Sequence, residues 1–99
     1  YKINLFEQSI EDYSKAIGLN PNSSISYFNR SIAYEMTENY GKFFEDLNFA
    51  IKLNPNKSQF ILKRGMVYKK LNDTEKAIKD FISVIKLDPE NIHVKYRLI

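Results

Sequence analysis

The chain has no cysteine, no tryptophan, a single histidine, three glycines and three prolines among its 99 residues. Without cysteine there is no disulfide framework, no thiol nucleophile and no thiolate metal site. His93, with no second histidine and no cysteine to join it, cannot anchor an ordinary zinc site, so no metal is expected. Three glycines do not make a phosphate-cradling loop, and no Ser/His/Asp set or nucleotide motif occurs. The carboxylates pair along helix faces with lysines one turn away, as Glu11 with Lys15 and Glu75 with Lys79. No catalytic residue and no cofactor are expected; the chain reads as a non-enzyme. No apolar run approaches the ~20 residues that span a bilayer, which leaves the cytoplasm as the default compartment.

What is present is a folding sequence, 43% hydrophobic and 14% aromatic, long enough for one small domain of packed helices. The formal charge is +3, from 15 basic and 12 acidic residues that are interspersed along the chain. That balance favours acidic partners slightly and argues against nucleic acid.

A period of 34 residues organises the chain. Leu19-Asn20-Pro21, Leu53-Asn54-Pro55 and Leu87-Asp88-Pro89 recur at that spacing, as do Ile17, Ile51 and Ile85 and then Asp12, Asp46 and Asp80. Tyr27, Arg30, Ala33 and Tyr34 align with Ile61, Arg64, Val67 and Tyr68. Each unit reads as two helices. Ser24 to about Thr37 carries apolar residues at helical spacing, after N-capping chemistry in Asn22, Ser23 and Ser24. Glu38-Asn39-Tyr40-Gly41 is expected to turn, and about Lys42 to Leu53 forms the second helix, which Pro55 ends. The scheme repeats over Ser58–Leu71 and Glu75–Leu87. A lone second-type helix, about Leu5–Leu19, precedes it, and the start of a first-type helix follows Pro89.

In an antiparallel pair turning near Asn39, Arg30 faces Asp46, and Arg64 faces Asp80 by the same geometry. Because the pairing repeats with the architecture, it reads as ion pairs clipping helices together, not as a binding site.

These residues resemble the tetratricopeptide repeat. Unit two supplies Tyr27, Ser31, Tyr34, Tyr40, Leu47, Ala50 and Pro55 at its signature positions, and unit three supplies Ile61, Gly65, Tyr68, Ala77, Phe81, Val84 and Pro89. Two positions depart from the pattern: Phe43 replaces a small residue opposite Ser31, and Thr74 replaces an aromatic. Both predict local looseness, the first through a wider helix crossing. The resemblance implies an all-α fold, antiparallel helix-turn-helix repeats stacked into a right-handed superhelix (an α-solenoid). It divides the chain into a second helix over 1–23, full repeats over 24–57 and 58–91, and the start of a further repeat or capping helix over 92–99. That division, with a chain opening mid-element at Tyr1, predicts a fragment whose open repeat ends offer a route to homo-oligomers.

The same resemblance implies a protein-interaction scaffold that binds a peptide or partner helix in a concave groove lined by the first helices. Carried over position by position, groove residues are Ile25, Phe28, Asn29 and Ile32 in unit two and Gln59, Leu62, Lys63, Met66 and Lys70 in unit three. Tyr96 and Arg97 follow in the last segment. Phe28, Leu62 and Tyr96 make an apolar row, and Asn29, Lys63 and Arg97 an increasingly basic one. Two alternatives stand beside this reading. The stretch Tyr27-Phe28-Asn29-Arg30-Ser31 resembles carboxylate-clamp co-chaperone modules, which hold acidic chaperone C-terminal tails and in which the position of Asn29 binds the terminal carboxylate. The other is a structural or self-assembly segment with an empty groove.

Overall fold

The computed structural model describes the backbone of residues 2–90 and the side chains of residues 5–90. Among these residues there are five helices and no strand: α1 (Lys2–Leu19), α2 (Ser24–Met36), α3 (Tyr40–Leu53), α4 (Ser58–Lys70) and α5 (Thr74–Leu87). The chain divides into two compact units, Tyr1–Asn54 and Pro55–Ile99. In the first, α1 packs on α2 and α2 on α3; in the second, α4 packs on α5. Residues 92–99, including His93, Tyr96 and Arg97, lie outside the described residues.

The link inside each hairpin is built from residues with specific backbone tasks. Glu38 and Asn72 take left-handed conformations, φ 59° and 66°, and reverse the chain within two residues. The next residue caps the following helix: Asn39 accepts from the Lys42 amide and Asp73 from the Lys76 amide. The amides of Asn39 and Asp73 in turn donate to the carbonyls of Tyr34 and Tyr68, each at 2.8 Å. Tyr40 and Gly41 are therefore helical, not part of the turn: the Asn39 side chain satisfies an amide that would otherwise be orphaned, so α3 opens three residues after Thr37. Ser23 caps α2 through its side chain, whereas its counterpart Lys57 offers α4 no capping oxygen.

The apolar interior of the first unit holds Phe43, Leu47 and Ala50 of α3, all fully buried, with Phe28 and Ala33 of α2. In the second unit Phe60, Ile61 and Val67 of α4 are buried, as are Ala77, Phe81 and Val84 of α5. At Gly65 these two helices lie close together: a Cβ there would lie 2.8 Å from Phe81 Cε1. The expected looseness around Phe43 and Ser31 does not appear. Both are fully buried; Ser31 turns its hydroxyl back to donate to the Phe28 carbonyl at 2.6 Å, and the Phe43 ring sits edge-on to Phe44 at 4.9 Å. Thr74, the other departure, opens α5 behind the Asp73 cap.

Candidate functional site

Two kinds of polar residue stand out on these helices: those that join helix to helix and those left on helix faces. Arg30 and Asp46 belong to the first kind. The Arg30 Nε donates to Asp46 Oδ2 at 2.6 Å and its Nη2 to Oδ1 at 2.7 Å. Its Nη1 also donates to Ser14 Oγ at 3.1 Å, so one guanidinium joins α1, α2 and α3. Arg64 forms the same fork with Asp80, at 2.9 and 2.7 Å. Such bidentate, charge-assisted bonds are strong because both oxygens are satisfied in one plane. Hydrogen bonding to the buried carboxylate holds each arginine above its ordinary pKa, outweighing the opposing desolvation.

A second repeated contact lies beside the fork. Lys42 Nζ sits 5.7 Å from the Tyr34 ring centroid, and Lys76 Nζ sits 5.6 Å from that of Tyr68. In the first unit Arg30 also lies 5.7 Å over Tyr27, whose ring tilts onto Phe49 at 4.6 Å. Both features are architectural, since they recur or arise at equivalent places in the hairpin.

The helix faces are where a ligand can be met. On α2, Ile25 is 48% exposed and Met36 50%, while Asn29 and Ile32 are half-buried. On α4, Gln59, Lys69 and Lys70 are exposed, and Leu62, Lys63 and Met66 are half-buried. Phe28 is the exception to its expected place in an apolar row, because it is only 5% exposed. The reason lies in its stripe. Phe28, Ser31 and Glu35 follow one another at three and four residues, and all three are buried, so this edge of α2 turns inward. The row's counterpart on α4, Leu62, stays partly accessible, and Tyr96 and Arg97 fall outside the described residues.

The first unit also contains an open pocket of about 510 Å³ lined by Glu7 and Ile10 of α1 and by Tyr34, Met36, Thr37, Glu38 and Asn39. Sequence reasoning did not mark this place, and its signal is faint: Met36 and Ile10 look like ordinary helix-face residues. Among the described residues no group of three His, Cys, Asp or Glu side chains is placed to hold a metal ion. No helix among them is long and apolar enough to cross a membrane.

Comparison with known proteins places these features in a family. The tetratricopeptide repeat profile matches residues 1–23 and 58–91. A 41-residue stretch is 51% identical to human serine/threonine-protein phosphatase 5, covering 41% of this chain but 8% of that enzyme. The fold is similar to that of the first TPR of Spaghetti (RPAP3), solved bound to the HSP90 peptide SRMEEVD. The TM-score is 0.86 at 26% identity, over 96% of this chain and 75% of the other. It is also similar to the second TPR domain of human RPAP3 in complex with the HSP70 peptide SGPTIEEVD, with a TM-score of 0.82 at 28% identity over 94% and 78%. With more than half of its residues matching the repeat, and fork, turn and cap recurring at the same 34-residue interval, the chain belongs to the tetratricopeptide repeat family.

Proposed function

We propose that this chain is a protein-interaction scaffold that binds an acidic peptide, each of its first helices, α2 and α4, offering an accessible face of its own. One observation carries the reading: two proteins similar to it over 94–96% of its length hold peptides that end in EEVD. Charge agrees with that choice. Pro55–Ile99 contains ten basic and five acidic residues, whereas Tyr1–Asn54 contains five and seven. On α4, Lys63, Lys69 and Lys70 supply positive charge, and Leu62 and Met66 supply apolar contact. On α2, Ile25 and Ile32 offer apolar surface around the amide of Asn29. The family's work is interaction and not catalysis, and the resemblance to the phosphatase concerns a small part of that enzyme. A cytoplasmic setting belongs to the same proposal.

Fluorescence anisotropy with labelled SRMEEVD is the direct test. Binding that weakens about tenfold on Lys63→Glu, through loss and reversal of a charge contact, supports the reading. No binding, or an affinity indifferent to both Lys63→Glu and Asn29→Ala, overturns it. The carboxylate-clamp version is separated by amidating the peptide's C-terminus. Lysine gives the terminal carboxylate a point charge without a bidentate fork, so Asn29 carries the directional share of that recognition. Loss of binding on amidation favours the clamp; retention favours general recognition of acidic side chains.

A further inference from the structure

Glu11, Glu45 and Lys79 share one position of the 34-residue repeat, and Lys15, Phe49 and Ser83 share another, one helical turn further on. On α1 the two positions form an ion pair, with Lys15 Nζ 3.5 Å from Glu11 Oε1. On α3 the carboxylate remains and the lysine is gone. Glu45 is exposed and makes no hydrogen bond or ion pair among the described residues. In the lysine's place stands Phe49, 38% exposed, although neither of its repeat equivalents is aromatic.

A pocket of about 210 Å³ opens beside these residues, lined by Tyr27 and Arg30 of α2 and by Glu45, Asp46 and Phe49 of α3. All five belong to one hairpin, with α1 before it in the chain and α4 after it. The pocket is therefore a feature of that hairpin and not of either end of the chain. Its volume falls below the roughly 300–1,000 Å³ of small-molecule sites and suits a single side chain. Tyr27 and Phe49 meet with ring centroids 4.6 Å apart and planes tilted by 60°, so they form a corner and not a stack. The rings brace the hairpin and still line open space. A cation already uses one of them, since Arg30 lies 5.7 Å over Tyr27. That guanidinium is bound to both oxygens of Asp46, so their charges cancel, and Glu45 leaves the lining with one negative charge.

We propose that the Tyr27–Glu45–Phe49 pocket receives the side chain of a lysine from a partner protein. Its ammonium meets Glu45, and its methylene stem lies on the two rings, which divides the lysine into the charged and apolar parts that the pocket offers. The repeat itself supplies the precedent. Lys15 gives Glu11 an ammonium within one helix, and the partner's lysine gives Glu45 the same group from outside. The pocket shares no residue with the faces assigned to the acidic peptide, so either site stands or falls without the other.

The probes are two short capped glycine peptides titrated into the intact 15N-labelled chain. One carries a central lysine; the other carries norleucine, which keeps the stem and lacks the ammonium. Amide shifts centred on Tyr27, Glu45 and Phe49 are expected with the lysine peptide and not with the norleucine peptide. Glu45→Gln and Phe49→Ser, the second placing here the residue of the next repeat, each weaken binding about two- to fivefold. Phe49→Tyr retains it, which separates loss of the ring from loss of the fold. Phe49→Lys abolishes it, because the helix then supplies its own ammonium as α1 does. Absence of shifts, equal shifts from both peptides, an affinity indifferent to Glu45→Gln, or shifts spread evenly over the exposed carboxylates each overturn the proposal.

Discussion

Arg64 grips Asp80 with two parallel hydrogen bonds, Nε to Oδ2 at 2.9 Å and Nη2 to Oδ1 at 2.7 Å, across the α4–α5 hairpin. Removing the arginine strands a buried carboxylate. Breaking a fully buried pair costs about 3–5 kcal/mol, and with 24% of the Arg64 side chain exposed the expected loss for Arg64→Leu is about 2–3 kcal/mol. Urea unfolding of Arg64→Leu and of Arg64→Leu/Asp80→Leu checks this. The double variant should recover most of the loss, because no charge is left buried.

The glycines of α1 and α4 respond oppositely to the same substitution. At Gly65 the new methyl meets Phe81 Cε1 at 2.8 Å and Asp80 Cβ at 3.0 Å, so Gly65→Ala destabilises by about 1–3 kcal/mol despite better helix propensity. At Gly18 nothing lies within 4 Å, and Gly18→Ala stabilises by about 0.5–1 kcal/mol. Thermal midpoints moving in the same direction for both would contradict this geometry.

Glu38 holds a left-handed backbone conformation that its Cβ disfavours, and Asn72 holds the same conformation more comfortably. Because the Glu38 side chain is exposed, Glu38→Gly should raise stability by about 0.5–1 kcal/mol after the entropy of the unfolded glycine is counted. Asn72→Ala should lower it, as measured by the same denaturation curves.

Phe28 and Ile25 separate stability from binding on one helix. Phe28→Ala empties an interior position and costs about 3–5 kcal/mol, a large share of the stability of so small a chain. Ile25→Ala, on an exposed side chain, stays within about 0.5 kcal/mol and weakens the acidic peptide. Circular dichroism melts paired with anisotropy titrations read the two effects apart.

This contrast marks what can be read from residues alone. The 34-residue period placed the helices, because the prolines at 21, 55 and 89 and the capping residues Ser23, Asn39 and Asp73 act locally. The partnership of Arg30 with Asp46 was legible too, since an antiparallel hairpin fixes which positions face each other. The inward turn of Phe28 was not, because a helix flanked on two sides buries two stripes, and the pattern shows only that both are apolar. The start of α3 was readable in retrospect: Asn39 with Lys42 three residues on is an N-cap, but the Tyr40-Gly41 pair looked like a turn. The exposure of Asp12 needed the structure as well, since it matches the buried Asp46 and Asp80 letter for letter.

The recurring guanidinium fork has a consequence for how such hairpins are assembled. Apolar side chains tolerate sliding: if one helix slips along its partner by a turn, ~5.4 Å, most greasy contacts are replaced by others of similar worth. A planar fork reaching one carboxylate tolerates no such slip, because both of its hydrogen bonds vanish together. Arg30 with Asp46 and Arg64 with Asp80 therefore act as dowels, setting the longitudinal alignment that the surrounding hydrophobic residues then make firm. Since each dowel lies wholly within one hairpin, copying the 34-residue unit copies its alignment with it, and a lengthened array inherits correct seating without any new instruction.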